Sequence, residues 1–129
     1  MSHAASRNKP RVLIVEDDVD TRDLLILILE DEGYQVDAVD DGRKVAGRVK
    51  LARPDVITLD IGLPGKSGKS VLDDLERDPA TANIPVVVIS GNTKKLAGPD
   101  RAHTSHVIAK PFYVTQVLEE IERALVKPE

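Results

Sequence analysis

At 129 residues the chain is long enough for one domain with a single hydrophobic core and too short for two. A formal net charge of −4, with no basic residues gathered into a patch, gives no reason to expect nucleic acid or an anionic membrane as partner. The absence of cysteine excludes a disulfide framework and a thiolate metal site. The opening MSHAASRNKP lacks the apolar segment of a signal peptide, and no apolar run approaches membrane-spanning length. The expectation is a cytoplasmic protein with residues 1–10 as a polar arm and one domain over residues 11–127.

In chain order, Arg11-Val12-Leu13-Ile14-Val15 reads as a first strand, closed by Glu16, Asp17 and Asp18. Acids at its start and Gly33 at its end bracket a helix from Val19 to Glu32. Gln35 to Val39 alternates polar and apolar, the pattern of a half-exposed edge strand. Asp41 caps a second helix over Arg43 to Leu51, in which Gly47 costs about 1 kcal/mol relative to alanine. Val56-Ile57-Thr58-Leu59 is a buried strand ending on Asp60. Leu63-Pro64 and Gly68 shape the loop that follows.

Lys69 to Glu76 places Val71, Leu72 and Leu75 on one helical face, and residues 79–85 form a loop. Val86-Val87-Val88-Ile89 is a buried strand ending at Ser90-Gly91. From Asn92 to Ser105 the signal weakens, and Gly98-Pro99 predicts a fourth helix that is short or irregular. Val107-Ile108-Ala109 is a short last strand before Lys110-Pro111. Val114, Val117, Leu118, Ile121 and Leu125 then keep helical spacing.

Strands alternating with helices predict an α/β fold: a flavodoxin-like, three-layer (βα)5 unit with a parallel five-stranded sheet in the order 2-1-3-4-5. In that order the first and third strands are neighbours, about 4.8 Å apart. Glu16, Asp17 and Asp60 then crowd together at the carboxyl ends, where open α/β sheets place their chemistry. Carboxylates held so close repel unless a proton or cation intervenes, and an all-oxygen ligand set suits Mg²⁺ or Mn²⁺. Ser90 and Lys110, at the ends of the two strands beyond, add a hydroxyl and an ammonium to the same rim. Such an inventory suits phosphoryl transfer onto Asp60.

The motifs VLIVEDD, DVITLDIGLPGKSG, IPVVVISG and AKPF stand in the order and spacing of one known family. From Arg11 to Leu125 the sequence resembles the receiver domain of two-component response regulators. The resemblance implies that Asp60 is the phosphoacceptor and that Asp17 is a direct metal ligand, with Glu16 acting mainly through the ion's water shell. The backbone carbonyl of Gly62 completes the protein's share of the coordination. Ser90 and Lys110 bind the phosphoryl group, and the bond before Pro111 is a cis-peptide candidate. It also implies a histidine kinase or phosphotransfer protein as donor and a protein target downstream, in a module that acts only on its own phosphorylation. The end of the chain soon after the last helix suggests a stand-alone receiver without an output domain, or one excised from a larger regulator or hybrid kinase.

Blander readings exist for each residue taken alone. An acid at a strand end is usually a solvated loop residue, Asp18 reads as a helix-start residue, and Lys94-Lys95 as a solvated pair. His103 and His106 lack a third ligand and read as surface or hydrogen-bonding histidines. The first helix is apolar all round over Leu24 to Leu29. Family-equivalent positions put Ile26 and Leu27 in solvent, a candidate partner or homodimer surface. Val107 stands where the family usually has Tyr or Phe, so the output is expected to reorder Asn92 to Ser105 rather than swing an aromatic ring.

Three alternatives compete. A Mg²⁺-dependent phosphohydrolase with an aspartate nucleophile wants a second acid where Gly62 stands. A flavodoxin relative wants a phosphate loop where Glu16-Asp17-Asp18 stand. A receiver-like module that is never phosphorylated would not need the full set of acids, Ser90 and Lys110.

Overall fold

The β-branched runs of the sequence become five parallel strands: β1 (Arg11–Val15), β2 (Gln35–Val39), β3 (Val56–Leu59), β4 (Val86–Ser90) and β5 (His106–Ala109). The computed structural model describes residues 9–63, 65–91 and 106–126. The strands pair in the order β2-β1-β3-β4-β5, the flavodoxin-like order expected from the sequence. β3 and β4 are buried along their whole length, and β1 from its second residue onward, because these strands are covered on both faces. β2 lies at an edge, with Gln35 exposed and Val36, Asp37 and Ala38 half-buried. The register sets Val15 opposite Leu59, Leu59 opposite Val88, and Ser90 opposite Ala109. The ends of β1, β3, β4 and β5 therefore share one rim.

Among the described residues four α-helices cover the sheet: α1 (Val19–Asp31), α2 (Val45–Ala52), α3 (Gly68–Arg77) and α4 (Val114–Leu125). Asp18 starts α1 by accepting the amide of Thr21 at 2.9 Å and its hydroxyl at 2.7 Å. Gly33, at φ 96°, ends it: its N–H donates to Glu30 O while that of Tyr34 donates back to Leu29 O. Ser67 starts α3 through the amide of Ser70 at 3.1 Å.

Two separate core clusters result, one on each face. Leu13, Ile57, Leu59, Val71, Leu72 and Val88 belong to the cluster under α2 and α3. Ile14, Leu25, Leu29, Val87, Val117 and Ile121 belong to the one under α1 and α4. Each such side chain contributes about 1.5–3 kcal/mol when fully buried.

The structure corrects two expectations. Asp41 caps a 3₁₀ turn, Gly42–Lys44, and α2 begins only at Val45, because the turn's N–H groups are the ones Asp41 reaches. Ile26 is half-buried and packs against the second core cluster, whereas Leu24 and Leu27 are the exposed leucines of α1, at 41% and 66%. An all-apolar run does not reveal which way a helix is rotated, and packing against the sheet decides it.

His106 pairs with Glu120 of α4, Nδ1 to Oε2 at 2.6 Å, in line with a hydrogen-bonding histidine. The expected fourth helix with its Gly98-Pro99 break, together with Lys94, Lys95, His103, residues 1–8 and Pro64, lies outside the described residues. No helix among the described residues is long and apolar enough to cross a membrane.

Candidate functional site

Sheet pairing continues one residue past the strand ends and so builds the site. The N–H of Glu16 donates to Val39 O at 3.1 Å, and that of Asp60 donates to Val15 O at 3.1 Å. The N–H of Lys110 donates to Ser90 O at 3.0 Å. Glu16, Asp60, Ser90 and Lys110 are thereby fixed by backbone before any side-chain contact is made.

Glu16 is 1% exposed and Asp60 9%, while Asp17 faces solvent. One carboxylate oxygen from each of the three lies within 4.8 Å of the others. Lys110 Nζ donates to Glu16 Oε1 at 3.0 Å and to Asp60 Oδ2 at 3.2 Å. The remaining oxygens are also held: Asp60 Oδ1 accepts the N–H of Gly62 at 3.0 Å, and Glu16 Oε2 that of Asp18 at 3.2 Å. Arg22 of α1 donates to the carbonyl of Glu16 at 3.3 Å. Ser90 is buried at the end of β4. The Lys110-Pro111 bond is cis.

Burial raises the pKa of Glu16, and the nearby charge of Asp60 pushes the same way, against the pull of Lys110 and the Asp18 amide. Burial also works against the charge of Lys110, but its bonds and charge interactions with Glu16 and Asp60 outweigh that, and its pKa is raised. The ammonium is thus locked in its charged form between two acids. Three carboxylates against one ammonium leave the cluster two charges from neutrality, the charge of one divalent cation. The oxygen-only donor set fits a hard ion that keeps its waters.

All the sequence-derived residues of the rim come together: Glu16, Asp17, Asp60, Gly62, Ser90 and Lys110. Asp18 stands apart as a helix cap, its pKa lowered by the hydroxyl and amide of Thr21. Val107 is half-buried, packs against the core cluster under α2 and α3, and lies opposite Val88 in the sheet. The position where a phosphohydrolase needs its second acid offers only the backbone of Gly62. A cleft of about 340 Å³, lined by Arg11, Val36, Arg48 and Pro54 among others, opens at the opposite ends of β1 and β2 and has no part in the acid cluster.

Three close glycine contacts carry no signal in the sequence. A Cβ on Gly68 would lie 2.5 Å from the Cα of Ile61 and 2.8 Å from the carbonyl oxygen of Asp60. Gly42 and Gly65 are similarly crowded, and only tertiary packing reveals why.

Comparison with known proteins agrees with this geometry. The family described as response regulator receiver domain matches residues 12–122. The DNA-binding dual master transcriptional regulator RpaA of Synechocystis sp. is 36% identical over 121 residues, which cover 92% of this chain and 49% of RpaA. The chain therefore spans about half the length of that relative. Protein Rrf1 of Nitratidesulfovibrio vulgaris is 31% identical over 116 residues, 89% of this chain and 82% of Rrf1.

The receiver domain of a sensor histidine kinase from Pseudomonas aeruginosa, solved with a magnesium ion coordinated in its active site cleft, shares the fold. Its TM-score is 0.79 at 23% identity, covering 91% of this chain and 98% of that one. Receiver domains are signalling modules rather than conventional enzymes. With the family's motifs in order, its sheet order and its acidic rim all present, the chain belongs to the response regulator receiver domains of two-component systems.

Proposed function

We propose that this receiver is a phosphoacceptor switch in which Asp60 takes a phosphoryl group from a histidine kinase or phosphotransfer protein. The observation that carries the reading is Lys110 bridging Glu16 and Asp60 at 3.0 and 3.2 Å beside the exposed Asp17. An Asp60 oxygen forms the new bond to phosphorus as the phosphorus–nitrogen bond of a phosphohistidine donor breaks. The bonding pair leaves with the imidazole, which takes up a proton.

Asp17, Asp60 and the carbonyl of Gly62 would hold Mg²⁺ or Mn²⁺, with Glu16 acting mainly through its waters. The bound ion would neutralise the acids and the incoming phosphoryl oxygens. Asp60 is oriented for attack by the N–H of Gly62 on one oxygen and by Lys110 on the other. Lys110 and Ser90 then bind the phosphoryl group, and the exchange of carboxylate for acyl phosphate biases a protein–protein interaction.

Catalysis is limited to the protein's own phosphorylation and its reversal, in the cytoplasm, without nucleic acid or membrane as partner. Intact mass after incubation with acetyl phosphate, with and without Mg²⁺, tests the reading. One phosphoryl group should be gained, and only with the cation. Labelling that ignores the cation, or no labelling at all, overturns it.

A further inference from the structure

The turn after β2 braces the acid cluster from two directions. At its near end, Val39 O holds the N–H of Glu16 at 3.1 Å. Three residues on, it meets the loop that follows Asp60. A Cβ on Gly42 would lie 2.2 Å from the carbonyl oxygen of Lys66. One on Gly65, at φ +75°, would lie 2.6 Å from Asp41 Oδ1 and from Arg43 Nε.

Asp41 is itself fixed, since Oδ1 accepts the N–H of Arg43 at 2.8 Å and Oδ2 accepts its Nη2 at 2.6 Å. The loop's far end is pinned where the N–H of Gly68 donates to Ile61 O at 3.1 Å. The Lys66 side chain pairs with Asp74 of α3. Gly62, whose N–H orients Asp60, lies between these pins.

We propose that the Asp41–Lys44 turn is a positioning element of the cation site. Through the seat of Gly42 on Lys66 and of Gly65 on Asp41 and Arg43, it sets the spacing between Glu16 and the loop carrying Gly62. The inference rests on the reading that the acids hold a divalent cation. Gly42 touches neither ion nor phosphoryl group, so its replacement acts on affinity and leaves the reaction at saturating cation intact.

Calorimetric titration of the full chain with MgCl₂ tests this. Gly42→Ala, whose methyl group forces the Lys66 backbone to move, should weaken Mg²⁺ binding about tenfold. It should raise the Mg²⁺ needed for half-maximal labelling by acetyl phosphate by the same factor, with the maximal extent unchanged. Gly47→Ala, in the neighbouring helix with open space around it, should bind as the unaltered protein does.

Should Gly42→Ala not fold, Gly65→Asn serves instead. Asparagine tolerates positive φ, and its Cβ meets the side chains of Asp41 and Arg43. It must show the same loss of affinity. Unchanged affinity in the folded variant, or a lowered maximal extent at saturating Mg²⁺, overturns the positioning role and leaves the phosphoacceptor reading standing. Absence of Mg²⁺ binding by the unaltered protein overturns that reading and this inference together.

Discussion

Asp60 and Lys110, 50 positions apart in the chain, meet at 3.2 Å across the rim of the sheet. The contact exists because Asp60 extends the β1–β3 pairing by one residue and Lys110 extends the β4–β5 pairing by one. The ammonium's second bond, to Glu16, makes it the internal counter-charge of the acid cluster.

Replacing Lys110 with methionine should therefore destabilise the cation-free protein at neutral pH by about 1–2 kcal/mol, a partly solvent-screened ion pair being worth less than a buried one. The folded pKa of Lys110 lies above the unfolded value of 10.5, so its contribution is complete below 10.5 and fades as pH rises through the folded value. For Glu16 the sign is opposite. Its folded pKa lies above 4.5, so ionising it costs stability as pH climbs from there, and Lys110→Met should enlarge that fall. Urea unfolding of both proteins from pH 4 to 11 reads both windows. A gap between them that does not begin to narrow above pH 10.5 would refute the assignment.

Thr58 carries a buried hydroxyl with no hydrogen-bond partner among the described residues, on β3 between Ile14 and Val87. A buried orphan hydroxyl costs about 1–3 kcal/mol, and valine has nearly the same shape. Thr58→Val should raise stability by about 1 kcal/mol in urea unfolding and leave phosphorylation unchanged. Destabilisation would show that the hydroxyl has a partner in solution.

Much of this architecture was legible because the physics behind it is local. Period and β-branching mark β1, β3 and β4, and the polar residues at the strand ends, Glu16, Asp60, Ser90 and Lys110, mark the rim. The rotation of α1 was not legible, since Leu24 to Leu29 are all apolar and only the sheet distinguishes Ile26 from Leu27. Nor were the seats of Gly42, Gly65 and Gly68, because each answers to backbone or side chains brought close only by folding. By residue type Asp41 is a helix cap, but the turn it caps tightens to 3₁₀ before α2 begins.

The exposed leucines of α1 give a third prediction, for the partner surface. Leu24→Glu with Leu27→Lys removes apolar area from solvent-facing positions and should leave the midpoint of thermal unfolding nearly unchanged. It should leave labelling by acetyl phosphate intact while slowing transfer from the cognate kinase or altering sedimentation. If neither transfer nor sedimentation changes, α1 is not a docking surface.

On the proposed function, Asp60 is the group that becomes phosphorylated. Intact-mass measurement of the unaltered protein and of Asp60→Asn, after incubation with Mg²⁺ and acetyl phosphate, tests it most directly. The unaltered protein should gain one phosphoryl group, and the variant none while keeping its circular dichroism spectrum. Equal labelling of the two proteins would contradict the account.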